Sequence, residues 1–125
     1  MEKGLTYTSV VEVTAANTAI TLGSGDMVEV FATPALVALM ENAAMNAVKS
    51  ALPEGSTTVG AMIQTSHIKP SAVGETVKAT AVLQEVDGRK LTFSVSAVDS
   101  QGAVGEGTHV RYVVDRERFL AKLKK

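Results

Sequence analysis

Three side chains stand out by type and spacing: Thr33, Glu41 and His67. Glu41 lies in the run TPALVALMENAAMNAVKSAL (Thr33–Leu52), where its helical neighbours at three and four residues are Val37, Ala38, Ala44 and Met45. Burial among them would strip water from a carboxylate, and carboxylates in such places cluster at functional sites. The alternative is structural: Glu41 pairs with a basic residue from elsewhere or reaches a second copy. Lys49 is eight residues on and too far to pair locally. Thr33 precedes Pro34 at the start of the same run, so its hydroxyl either caps the helix or serves chemistry there. Free N–H groups and positive potential at a helix start favour a hydroxyl or a developing oxyanion. Thr33 and Glu41 are separated by about 12 Å along a helix axis, at 1.5 Å per residue. Something else must bridge them. His67 alternates with Ala61, Ile63 and Thr65, which places an imidazole on a face of small and apolar groups, as a core residue or as a proton carrier near neutral pH. His109 shares a face with Gly107 and Arg111 and reads as structural or phosphate-side.

The elements that must position these groups are legible around them. Ala, Leu and Met dominate Thr33–Leu52, Thr33 fits the cap, and Pro53 and Gly55 end the run. With only Glu41 and Lys49 charged, this helix is too apolar for a surface and needs wrapping. Leu5–Val13 alternates ahead of it, and four strand-like runs follow: Thr57–Ile68, Thr76–Val86, Lys90–Val98 and Ala103–Val114. The turn signals Val86-Asp87-Gly88-Arg89 and Asp99-Ser100-Gln101-Gly102 make the last three an antiparallel meander. The expectation is an α+β fold, a curved antiparallel sheet of about five strands wrapped around one long apolar helix. Open sheet edges favour a homodimer.

Composition narrows the chemistry further. The 125 residues suit one domain, 1–125, with a core of its own, and 46% are hydrophobic. Twelve basic against thirteen acidic residues give a net charge of −1, so no global field draws in nucleic acid or membrane. The asymmetry is local: residues 116–125 hold five bases and one acid. Cysteine is absent, which removes thiolate nucleophiles and zinc–thiolate sites, and two histidines make a poor metal site. Neither a metal nor a cofactor is expected. No apolar run approaches the roughly 20 residues of a membrane span, and Met1-Glu2-Lys3-Gly4 is no signal peptide. A cytoplasmic protein is expected. No G-x-S-x-G is present, and Gly102, Gly105 and Gly107 sit in a strand rather than at a helix start.

Four stretches together carry a resemblance: VFATPALVALMENAAM (Val30–Met45), TVGAMIQTSHIKPSAVGETV (Thr58–Val77), EVDGRKLTFSVSAVD (Glu85–Asp99) and GEGTHVRYVVDRERFLAK (Gly105–Lys122). They are similar to the fluoroacetyl-CoA thioesterase-like family of hot-dog-fold proteins. The resemblance implies hydrolysis of an acyl-CoA thioester, with Thr33 as the catalytic hydroxyl, Glu41 as the carboxylate and His67 as the imidazole. It also implies a carbonyl-oxygen contact at the Gly60 backbone. A thiolate leaving group, with a thiol pKa of about 8.5 by analogy with cysteine, needs little acid help. The demand falls on the nucleophile and the oxyanion. Glu41 attacks directly or deprotonates water; both routes stay open. Lys69, Arg111 and the Arg116–Lys125 tail are the cations available to the phosphates of the substrate. A non-catalytic acyl-CoA or small-ligand binding protein of the same fold is the alternative, and a hydratase acting on enoyl thioesters ranks below it. Two departures bear on selectivity. Thr14–Glu29 has no aromatic residue to wall a two-carbon pocket, so strong preference for fluoroacetyl is not expected, and Pro34 replaces a glycine often seen after the threonine.

Overall fold

The computed structural model describes residues 1–124. Five strands, β1 (Thr6–Glu12), β2 (Ser56–His67), β3 (Thr76–Asp87), β4 (Lys90–Asp99) and β5 (Gly102–Asp115), form one antiparallel sheet. Its order is β1-β3-β4-β5-β2, so β1 and β2 are the edges. The expected meander is β3-β4-β5, with Gly88 and Gly102 at positive φ in its two turns, a geometry that glycine adopts without strain. A short helix α1 (Ala19–Leu22) precedes the long helix α2 (Thr33–Val48), and α3 (Arg116–Leu123) follows β5.

Alternation explains which face of the sheet the helix covers. Val77, Ala79, Ala81 and Leu83 of β3, and Leu91, Phe93, Val95 and Ala97 of β4, are buried together against α2. The helix contributes Leu36, Leu39, Met40, Ala43, Ala44, Ala47 and Val48, and its alanines let it settle closely on β1 and β3. The apolar helix is therefore wrapped, but on one side only: Pro34, Ala38 and Asn42 are exposed and Glu41 and Met45 are half-buried. The edge strand β2 is similarly incomplete, with Met62 44% exposed although it lies mid-strand.

The expected helical run from Thr33 is present: α2 to Val48 continues as a 3-10 turn over Lys49–Ala51 before Leu52 leaves it. One local expectation needs correction. Thr33 is the first helical residue rather than the cap: Ala32 takes the cap position in extended geometry, and no side chain caps this helix. Pro34 still sits in the first turn, where its missing N–H costs no helical bond. The Thr33 hydroxyl is thereby released from capping.

Candidate active site

The freed hydroxyl of Thr33 lies 2.8 Å from Nδ1 of His67. Thr33 opens α2 and His67 closes β2, so the pair joins the start of the helix to the end of the edge strand. Desolvation, and then the positive charge of Lys69, push the His67 imidazole below its ordinary value of 6.5, which keeps it neutral at physiological pH. In the tautomer protonated on Nε2, Nδ1 accepts the Thr33 hydroxyl proton, leaving a buried Nε2 with no partner among the described residues. An unpaired buried nitrogen is costly unless something else meets it. Lys69 itself donates to Asp99, whose carboxylate also accepts from Ser71 and from the Gln101 backbone; these bonds, opposing burial, hold Asp99 below its usual range.

Two turns further along α2 a second cluster forms around Glu41. Arg111 Nη1 donates to Glu41 Oε2 at 3.1 Å, and the remaining guanidinium donors are fixed by Thr58: Nε to its hydroxyl at 2.8 Å and Nη2 to its carbonyl at 3.0 Å. Burial holds the Arg111 guanidinium below its ordinary value, and Glu41 opposes that only in part through charge and hydrogen bond. His109, fully buried, donates from Nδ1 to the Met62 carbonyl at 2.7 Å, because a carbonyl can only accept. Its Nε2 is then a lone pair that accepts from Arg111 Nη1 at 3.1 Å. Desolvation lowers the His109 pKa and Arg111 adds to this, while the Met62 bond and Glu41 pull the other way. A neutral His109 at 3.9 Å from Glu41 is packing for the carboxylate, not an ion pair.

Gly60 completes this cluster. A Cβ at Gly60 would sit 2.5 Å from Glu41 Oε2 and 3.4 Å from Arg111 Nη1, so the bare backbone leaves room directly in front of the carboxylate. The β2 register shifts immediately after it, between Gly60 and Met62, where the strand bulges.

Glu41 thus differs from expectation. Its side chain is 42% exposed and it has a cation, so it is neither stripped of water nor unpaired. The reason is register: Arg111 faces Gly60 across the β2–β5 ladder and reaches the helix over a residue with no side chain. Thr33 and His67 come together, and Glu41, Gly60 and Arg111 come together, but among the described residues no hydrogen bond joins the two groups. Thr58 and His109 belong to the Glu41 cluster and were not singled out for it by sequence. The signal was present in the alternations His109/Arg111 and Thr58/Gly60, yet only the register of β2 on β5 shows that they meet. Among the described residues no group of three or more His, Cys, Asp or Glu is placed to hold a metal ion.

A five-stranded antiparallel sheet curled about one helix, with a hydroxyl–imidazole pair and a carboxylate along that helix, defines a hot-dog-fold protein. Accordingly, the hot-dog-like protein from Thermanaerovibrio acidaminovorans superposes with a TM-score of 0.89 at 26% identity, covering 98% of this chain and 90% of the other. The chain belongs to the fluoroacetyl-CoA-specific thioesterase family, whose sequence model matches residues 13–117. It is 42% identical over 96 residues to the fluoroacetyl-CoA thioesterase of Streptantibioticus cattleyicolor, spanning 77% of this chain and 69% of the relative. A threonine-to-serine variant of the fluoroacetyl-CoA enzyme FlK in complex with acetyl-CoA superposes with a TM-score of 0.94 at 36% identity, covering 99% and 97% of the two chains.

Proposed function

We propose that this protein hydrolyses an acyl-CoA thioester to the free acid and CoA. The observation that carries the reading is the Glu41 carboxylate, held by Arg111 in front of the side-chain-free backbone of Gly60. A thioester carbonyl placed there meets a fixed carboxylate, and the Gly60 backbone is the contact for its oxygen. Glu41 acts by one of two balanced routes. It takes a proton from water, whose oxygen bonds to the carbonyl carbon; the C–S bond then breaks and the thiolate leaves, to be protonated as the acid forms. In the other, a Glu41 oxygen bonds to the carbonyl carbon and displaces the thiolate, and water cleaves the resulting anhydride. Arg111 and the Thr58 anchor keep the carboxylate aimed in either case. Thr33 and His67 supply the hydroxyl and the neutral imidazole that handle the proton at the leaving sulfur.

The working unit in this reading is a homodimer. Thr33 and Glu41 stand about 12 Å apart along one helix, and β2 is an edge that carries both His67 and Gly60. Antiparallel pairing of β2 with the same strand of a second copy runs the His67 end of one chain towards the Ser56 end of the other. One chain's Thr33–His67 pair then approaches the other's Glu41–Gly60 cluster. The exposed face of α2 and the exposed Met62 lie on the side that such a partner covers. Acyl-CoA esters are met in the cytoplasm, which is where this reading places the protein; no described helix is long and apolar enough to cross a membrane.

The acyl group is a short or medium one other than fluoroacetyl. Thr14–Glu29 forms only a 3-10 turn and α1, leaves Leu22, Met27 and Val28 half or more exposed, and contributes no aromatic surface. A loose wall discriminates weakly: even one methylene is worth only about 1–3 kcal/mol in a well-fitted apolar pocket. Thiol release from fluoroacetyl-, acetyl-, butyryl-, hexanoyl- and an aromatic acyl-CoA tests the reading. Turnover of several of them is expected. No thiol release from any acyl-CoA overturns the activity, and a preference for fluoroacetyl above about 100-fold overturns the selectivity.

A further inference from the structure

Of the cations that the sequence offers to an anionic substrate, Lys125 lies outside the described residues, and every donor atom of Arg111 is taken up by Thr58, Glu41 and His109. Lys69 is committed too, and its partner is the informative one. Asp99 closes β4 with its carboxylate fully buried, yet the proposed reaction makes no use of it. Burying a carboxylate is costly unless donors meet its oxygens. Here Oδ1 accepts from the Gln101 backbone N–H at 2.8 Å, and Oδ2 accepts from the Ser71 hydroxyl at 2.7 Å and from the Lys69 ammonium. Lys69 also donates to the Pro70 carbonyl at 3.1 Å, which fixes its charge in place.

From this carboxylate one arm leads to each member of the Thr33–His67 pair. Lys69 follows His67 by two residues, and the backbone between them is tied to β5, where the Val104 carbonyl accepts from the Ile68 and Lys69 N–H groups at 2.7 and 3.4 Å. Ser71 starts the other arm. Its carbonyl accepts from the Phe31 N–H at 2.9 Å, two residues ahead of Thr33, and Val30 and Ala72 bridge beside that bond. Ser71 and Phe31 are both 1% exposed, so this arm is packed as well as bonded. The two arms meet in the 2.8 Å Thr33–His67 bond and close a ring of contacts. The Lys69 arm also carries charge to the imidazole. Across the β2–β5 ladder His67 faces Gly105, while Glu106 alternates to the opposite face; from α2 it meets the uncharged Thr33 hydroxyl, with Glu41 two turns further along. Lys69 is therefore the charge that, after burial, keeps the ring neutral.

We propose that Asp99 is a positioning residue for the Thr33–His67 pair, acting through Lys69 on the imidazole and through Ser71 and Phe31 on the start of α2. This rests on the reading of Thr33 and His67 as the groups that handle the proton, and adds the buried ion pair that sets their register. The test is an NMR titration of the imidazole nitrogens in the intact protein, run beside kcat and KM for thiol release. Lys69→Met removes the ammonium and leaves the Asp99 charge behind. Both changes favour a protonated ring, so the His67 midpoint is expected to rise and the acid limb of kcat to move up with it, at unchanged KM. Lys69→Arg is expected to restore both, and His109, which no bond links to Asp99, is the unmoved reference. Asp99→Asn keeps the shape and an accepting oxygen; kcat is expected to fall about tenfold through misplacement of the pair. In a Thr33→Ala background the same substitution is expected to cost nothing further, since no pair is left to position. A merely structural Asp99 would lower the melting temperature and cost the same kcat with or without Thr33, and that result overturns the proposal. So does a His67 midpoint that stays in place in Lys69→Met, a variant at a side chain 29% exposed that decides the matter even where Asp99→Asn does not fold. Because the titration requires no turnover, a shifted His67 in a protein that releases no thiol would overturn the hydrolytic reading and leave the link from Asp99 to the imidazole standing.

Discussion

Glu41 depends on one guanidinium for its direction and on the absence of one side chain for its room. Replacing it with Gln keeps an oxygen for Arg111 to bond and keeps the helix, but removes the charge. Thiol release is expected to fall by about 100-fold or more, the scale of a general base, with an unchanged circular dichroism spectrum. Near-normal turnover would reduce Glu41 to a partner for Arg111. In the proposed reaction His67 is expected to set the acid limb of the activity. Its imidazole must be neutral to accept from Thr33, and burial and Lys69 move it below 6.5. Activity therefore holds as the pH falls through 6.5 and drops only when the lowered value is passed. A kcat profile that already fell by half near pH 7 would contradict the neutral, desolvated imidazole. Type and position marked Thr33 and His67 as candidates, because a threonine at a helix start and a histidine on an apolar strand face are local facts, but left cap and core readings open; that the two side chains meet is a tertiary fact. The partner of Glu41 was not legible, since Arg111 is 70 positions away and its approach depends on register.

At the scale of elements, the β2–β5 ladder does the positioning. It sets Gly60 opposite Arg111 and Thr58 opposite Val113, and so hands the guanidinium to Thr58 on one side and to Glu41 on the other. Gly60→Ala tests this directly. The added Cβ would lie 2.5 Å from Glu41 Oε2, the far end of a flexible side chain, so the carboxylate rather than the strand gives way. kcat is expected to fall on the order of 100-fold, as for a displaced reacting group, with little change in melting temperature. Full activity in Gly60→Ala would show that Glu41 needs no clearance there. The strands and the meander were readable because alternation such as Leu91, Phe93, Val95 and Ala97 announces a buried face. The bulge after Gly60 and the cap at Ala32 were not, because each goes with tertiary contacts: a helix seated on the bulged strand, and a histidine 34 residues away that bonds the Thr33 hydroxyl.

For the whole molecule, the geometry leaves two half-sites on one helix and an edge strand that carries a residue of each. In the proposed dimer a second copy lays its own β2 alongside and completes each site, covering the exposed helix face and Met62. Light scattering is expected to give twice the chain mass at micromolar concentration. A site shared between two chains is tested most directly by mixing two inactive proteins, Thr33→Ala and Glu41→Gln, after denaturation and refolding together, and measuring thiol release from acyl-CoA. In a mixed dimer one site receives both substitutions and the other receives none. Random pairing makes half the dimers mixed, so activity is expected to return to about a quarter of wild type when each site draws on both chains. A mixture no more active than its two parents would contradict a site shared between the chains.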